Sequence, residues 1–221
     1  MIQQNALSLT PKNMRKFTTI ILLSSAFFLL SSEVQGQNPD ISGLKIINNS
    51  SSIPVSQFIS NSTTYIAAAT PLVLGITALI EKDDEMLKNA VYVAASLGVD
   101  GVLTYGLKKA IARPRPYNSY PQDIQAYENV SSLSFPSGHS SLAFVTATAL
   151  SIKYPKWYVI APSFLWASSV GYSRMNLGVH YPTDVLAGAM LGAGSAYITH
   201  LANNWFWKKK ENKKLIGLQV Y

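Results

Sequence analysis

An all-α helical bundle embedded in a membrane is the fold the sequence predicts, on three observations. Of 221 residues, 48% are hydrophobic and only 13% are charged, against about 25% charged in soluble domains. Five apolar segments, at roughly 64–80, 88–107, 139–152, 157–172 and 183–206, are each long enough for a helix and show no strand alternation. Those segments are rich in Ala, Gly, Ser and Thr, the small residues that let membrane helices approach closely, with Gly188-x3-Gly192 as one packing pattern of that kind. The mean hydropathy of +0.15 is low for a membrane chain, which keeps a soluble alternative open.

In chain order, residues 1–36 carry Lys12, Arg15 and Lys16, an apolar stretch from Phe17 to Leu30 and the small-residue pattern Val34-Gln35-Gly36. This is the order of a secretory signal peptide cut before Gln37, or of an uncleaved first membrane helix. The bundle then has five helices after a signal peptide, or six. Residues 37–63 are Asn- and Ser-rich and read as a polar periplasmic loop with at most one short surface helix. Residues 64–207 hold the apolar segments and the candidate site. Residues 208–221 form a basic tail; the stretch "WKKKENKK" carries five of the eighteen Lys and Arg, as a cytoplasmic flank facing anionic lipid would. This placing of the charge, with no reading motif, sets nucleic acid aside. The absence of Cys excludes disulfides, thiolate zinc sites and a Cys nucleophile.

Charge gives the topology. If the chain crosses at each apolar segment after residue 36, twelve Lys and Arg fall inside, as the positive-inside rule requires. The six outside are Lys45, Lys108, Lys109, Arg113, Arg115 and Arg174. Five of these six sit in two places, 108–115 and 174, so they call for a separate explanation.

Three clusters supply one. In "LKKAIARPRPY", Lys108 and Arg115 end a helix and enter a loop stiffened by Pro114 and Pro116. In "SFPSGHSS", Ser137 and Gly138 open a helix whose free N–H groups suit an anion, with His139 at the mouth. In "GYSRMNLGVHYPTD", Arg174 precedes His180, and Asp184 lies one helical turn after His180, beyond Pro182 at a helix start. A carboxylate there can fix the tautomer of the imidazole and leave its other nitrogen basic. All three clusters face one side of the membrane. Cations with backbone N–H groups select a multiply charged oxyanion, phosphate foremost. One His can attack phosphorus while the other protonates the leaving oxygen. No acidic cluster of metal-ligand spacing accompanies them, so no metal is expected.

Lys108-x6-Arg115-Pro116, Pro136-Ser137-Gly138-His139 and Ser173-Arg174-x5-His180-x3-Asp184 together resemble the type 2 phosphatidic acid phosphatase superfamily, over about residues 60–200. The resemblance implies a phosphatase that needs no cofactor, with His180 as nucleophile, Asp184 orienting it and His139 as general acid. Lys108, Arg115, Ser137, Gly138 and Arg174 would hold the phosphoryl oxygens. It implies lipid phosphate substrates and a multi-pass protein of the bacterial inner membrane, active on the periplasmic side, with no obligate protein partner. The alternatives are a soluble periplasmic acid phosphatase and, using vanadate in the same cradle, a haloperoxidase. Arg113 and Lys109, outside the pattern, are expected to meet a substrate headgroup, and His200 to be structural.

Overall fold

A computed structural model describes the backbone of residues 39–218 and the side chains of residues 39–206. The expected leader, residues 1–36, lies outside the described residues, as do the side chains of the basic tail. Among the described residues there are helices and no strands, so the all-α expectation holds. The helices are α1 (Pro39–Ile47), α2 (Ile53–Glu81), α3 (Asp84–Ile111), α4 (Gly138–Lys153), α5 (Trp157–Asn176) and α6 (Pro182–Leu218), with a single helical turn at Pro116–Ser119.

Each boundary has a local cause. Lys82 takes a left-handed φ of 56° and ends α2, and Asp83 then accepts from the Glu85 and Met86 N–H groups at 2.9 Å to start α3. Ala112, at φ 50°, ends α3 and turns the chain towards Arg113. Ser137 caps α4, as expected, and Pro182 is the first residue of α6.

The region from 37 to 63 departs from the predicted loop. It contains α1, which buries Ile41 and Leu44 against Ile124 and Tyr181, and the first turns of α2. In α2 the buried side chains are Ser56, Ser60, Thr63, Ala67 and Ala78, whereas Phe58 and Tyr65 point outwards, each 76% exposed. A polarity pattern tuned to water therefore misplaces this helix start by eleven residues. The inversion runs through the bundle. Ser96, Asp100, Ser140, Ser141 and Ser195 are buried, while Leu72, Ile76, Val102, Leu186 and Met190 are exposed. Exposed apolar helix surface on this scale calls for an apolar solvent. By length and composition α2, α3 and α6 can each cross a membrane, over Ser50–Glu81, Asp84–Ser119 and Pro182–Phe206.

Helix α4 lies in the middle and packs against α2, α3, α5 and α6. The glycine pair expected to permit close approach does so at its contact with α6. A Cβ at Gly192 would lie 2.2 Å from the Ser141 carbonyl oxygen, and one at Gly188 2.5 Å from that of Ser137. At Gly194, two residues further on and on the opposite side of the helix, a Cβ would meet nothing within 4 Å. Gly192→Ala is therefore expected to lower the melting temperature of the detergent-solubilised protein, at a cost of about 1–3 kcal/mol from overpacking. Gly194→Ala should hold or raise it, since Ala is favoured in a helix. Equal melting temperatures for the two variants would refute the close contact.

Candidate active site

Helices α3, α4, α5 and α6 deliver the predicted residues to one place. Lys108 comes from the last turn of α3, Arg115 from the start of the turn that follows, Ser137, Gly138 and His139 from the start of α4, Arg174 from the end of α5, and Asp184 from the first turn of α6. His180 sits just before α6 and is 2% exposed. The Ser137 N–H donates to the Asp184 carbonyl oxygen at 3.0 Å, tying the second cluster to the third.

The imidazole of His180 lies between a guanidinium and a carboxylate. Nη1 of Arg115 lies 3.3 Å from Nε2. On the other side Nδ1 faces Oδ2 of Asp184 at 3.5 Å. That is longer than a hydrogen bond, and Nδ1 has no hydrogen-bond partner. With a guanidinium donor at Nε2, the proton belongs on Nδ1, facing the carboxylate. Burial, with the nearby charges of Arg115 and Arg174, pushes His180 down to about 3 against the pull of Asp184. Its ring is therefore neutral across the ordinary pH range, with Nε2 basic.

Asp184 is itself fixed. Oδ2 accepts from Ser134 Oγ at 2.5 Å and from the Tyr181 N–H at 3.0 Å, and Oδ1 accepts from Arg113 Nη1 at 2.6 Å. His139 is half-buried and lies outside the three spanning helices. Burial first, then the charges of Arg174, Arg115 and Lys108, push it down to about 4, with Glu128 opposing. The three cations expected to form the cradle thus all act on this one side chain.

In this structure the cations hold protein oxygens. Lys108 Nζ donates to the Leu133 carbonyl at 2.6 Å, and Arg115 donates to the carbonyls of Ser132 at 2.7 Å and Val179 at 2.6 Å. Arg174, 1% exposed, donates to Ser60 Oγ and pairs with Glu128 Oε2 at 2.6 Å, while its Nε is left without a partner. Ser137 Oγ accepts from the N–H and Oγ of Ser140, at 3.4 and 2.9 Å. Gly138 lies beside Lys108, whose Cε would be 3.9 Å from an added Cβ. Among the described residues no group of three His, Asp or Glu side chains is placed to hold a metal ion.

Sequence reasoning missed Ser134, Glu128 and Asp40. Ser134 opens "SFPSGHSS" but has no distinctive spacing, and Glu128 and Asp40 lie in stretches without a pattern. Arg113 needs correcting: it contacts Asp184, Thr183 and Asp40 rather than open space for a headgroup. Lys109 does project near the surface, its Nζ 5.8 Å from the Tyr105 ring centroid. His200 packs edge-on against Tyr92 at 5.9 Å, consistent with a structural part.

The profile of the PAP2 superfamily matches residues 89–208, more than half of the chain. The chain belongs to that superfamily. An undecaprenyl-diphosphatase of Sulfolobus acidocaldarius is 31% identical over 124 residues, 56% of this chain and 60% of that one. A lipid A 1-phosphatase of Rhizobium johnstonii is 31% identical over 113 residues, 49% of this chain and 45% of that one. The chain thus spans about half of the length of these curated relatives. The crystal structure of a transmembrane PAP2-type phosphatidylglycerolphosphate phosphatase from Bacillus subtilis superposes with a TM-score of 0.65 at 26% identity, covering 85% of this chain and 94% of that one. With three helices fit to cross a bilayer and this transmembrane PAP2 neighbour, the chain is a multi-pass membrane protein.

Proposed function

We propose that this PAP2 protein is a phosphatase of lipid phosphates or pyrophosphates, acting through a phosphohistidine on the periplasmic side of a bacterial inner membrane. The observation that carries the reading is the buried, neutral His180, with Nε2 at Arg115 and Nδ1 facing Asp184. Lone-pair density at Nε2 attacks phosphorus, forming the N–P bond as the P–O bond to the lipid breaks. His139 delivers its proton to the leaving oxygen. A water then attacks the phosphohistidine, giving its proton to His139, and releases phosphate and neutral His180. Asp184 meets the positive charge that builds on the ring, and Lys108, Arg115 and Arg174 meet the negative charge that builds on the phosphoryl oxygens.

Binding also prepares the acid. The cations that depress His139 are those a phosphoryl anion would offset, so an occupied cradle raises His139 towards the protonated form. Relatives named for undecaprenyl diphosphate and lipid A phosphate support a lipid substrate. The apolar helix exteriors support a substrate reached from the bilayer and oppose the soluble alternative. The outward orientation rests on the positive-inside count. The test is phosphate release by the purified protein, with and without a chelator, from polyprenyl diphosphate, phosphatidate, phosphatidylglycerophosphate, lipid A and a soluble aryl phosphate. Chelator-resistant release favouring one or more lipids is expected. Failure on every lipid, or activity confined to the soluble ester, overturns the reading.

A further inference from the structure

We propose that Asp40 and Arg113 are a positioning couple that sets Asp184 against His180, making helix α1 part of the active site. The proposal rests on the phosphohistidine reading above and extends it to residues that reading does not use. A carboxylate beside an imidazole is useful only if its plane is fixed, and Asp184 can turn about its Cβ–Cγ bond. Oδ2, the oxygen facing Nδ1, is held by Ser134 and Tyr181. Oδ1 is held by Arg113 Nη1 at 2.6 Å. With both oxygens anchored, the plane of the carboxylate is set.

Arg113 is itself held on two sides. Its guanidinium stacks 3.7 Å from the centroid of the Tyr181 ring. Its Nη2 reaches Asp40 Oδ2 at 2.8 Å. Asp40 stands in the first turn of α1 and is 8% exposed. It accepts from the Thr183 N–H at 2.9 Å and from Thr183 Oγ1 at 2.5 Å, while Arg113 Nη1 also donates to Thr183 Oγ1 at 2.8 Å. Residues 40, 113 and 183–184 thus close one network across three elements, and Asp40 lies upstream of the segment the family profile matches.

Charge gives the couple a second task. Arg113 alone would cancel Asp184 and leave little net field for a ring turning cationic. With Asp40 added, the set is negative–positive–negative and keeps one net negative charge beside His180. Asp40 therefore lets Arg113 fix the carboxylate without neutralising it. Loss of either partner should slow phosphoryl transfer to His180 more than it weakens substrate binding.

The test compares full-length Asp40→Asn, Arg113→Gln, Arg113→Lys, the double Asp40→Asn/Arg113→Gln and His180→Ala, with the best lipid phosphate and with vanadate as inhibitor. Asp40→Asn and Arg113→Gln are expected to lose roughly 10- to 100-fold in kcat, the usual cost of removing a partner that orients a reacting side chain. KM and vanadate inhibition should stay near wild type. Arg113→Lys should recover part of kcat, and the double variant should be no slower than the slower single one, as coupled sites require. Arg113→Lys keeps the charge and carries the test if Asp40→Asn fails to fold. A rise in KM alone would return Arg113 to headgroup binding and overturn the couple. So would losses in kcat that match a fall in vanadate affinity and melting temperature. An inactive His180→Ala beside a fully active Arg113→Gln would sink the couple alone. A fully active His180→Ala would sink the reading beneath it.

Discussion

His180→Ala is expected to lose on the order of 10,000-fold or more in kcat, with the fold kept, since removing a nucleophile removes the reaction path rather than one contact. The ring is 2% exposed, with Arg115 at Nε2 and Asp184 facing Nδ1. Held down to about 3, it is unprotonated without help from a base. A depressed His loses its neutral form only as pH falls through the folded value, so the nucleophile survives well below the ordinary 6.5 of imidazole. Rapid quench with labelled substrate provides the second measurement. Wild type should yield a phosphoprotein that is stable in base and labile in acid, as a phosphoramidate is. His180→Ala should yield none, and His139→Ala should form it more slowly, since the leaving oxygen then lacks its acid. Label on any residue other than His180 would refute the mechanism.

The next largest effect is expected at Arg174. Its guanidinium is buried and its Nε is unpaired, while Glu128 from the loop occupies Nη1 at 2.6 Å. Preorganised donors aimed at developing charge are worth about 100- to 1,000-fold in kcat each, so Arg174→Ala should lose roughly that in kcat and weaken vanadate inhibition as well. Glu128 stands where a phosphoryl oxygen would compete for the same donor. Glu128→Gln, with less charge to displace, is therefore expected to shift KM in the opposite direction, downwards, with kcat little changed. Inhibition constants for vanadate in the two variants check both signs. Equal vanadate affinity in Arg174→Ala and wild type would remove Arg174 from the cradle.

Much of this site is legible in the sequence because local rules set it. Ser137 before an apolar run marks the start of α4, Pro182 marks that of α6, and the four-residue step from His180 to Asp184 brings them face to face. The glycine pair 188 and 192 likewise signals its own close contact. What stays hidden has two physical causes. One is solvent: Ser56, Ser60 and Thr63 read as surface in water, yet they line the inside of a helix whose exterior is apolar. The start of α2 is lost for that reason. The other is separation along the chain. Asp40 meets Thr183 across 143 residues and Arg174 meets Glu128 across 46. No periodicity links such pairs, so Arg113 looks like a free cation until its two carboxylates are seen.

The joint made by Gly188 and Gly192 fixes more than the spacing of two helices. It presses α6 onto the first turns of α4, and the Ser137 N–H bonds the Asp184 carbonyl beside it. The first turns of α4 and α6 therefore meet backbone to backbone, with no side chain at the two glycines. The stretch from 121 to 127 meets this unit through Gln125 at Gly178, Tyr127 at Leu177 and the buried Ile124, which packs with Tyr181. The register of His180 and Asp184 against the start of α4 is thus set by a joint built from two hydrogen atoms.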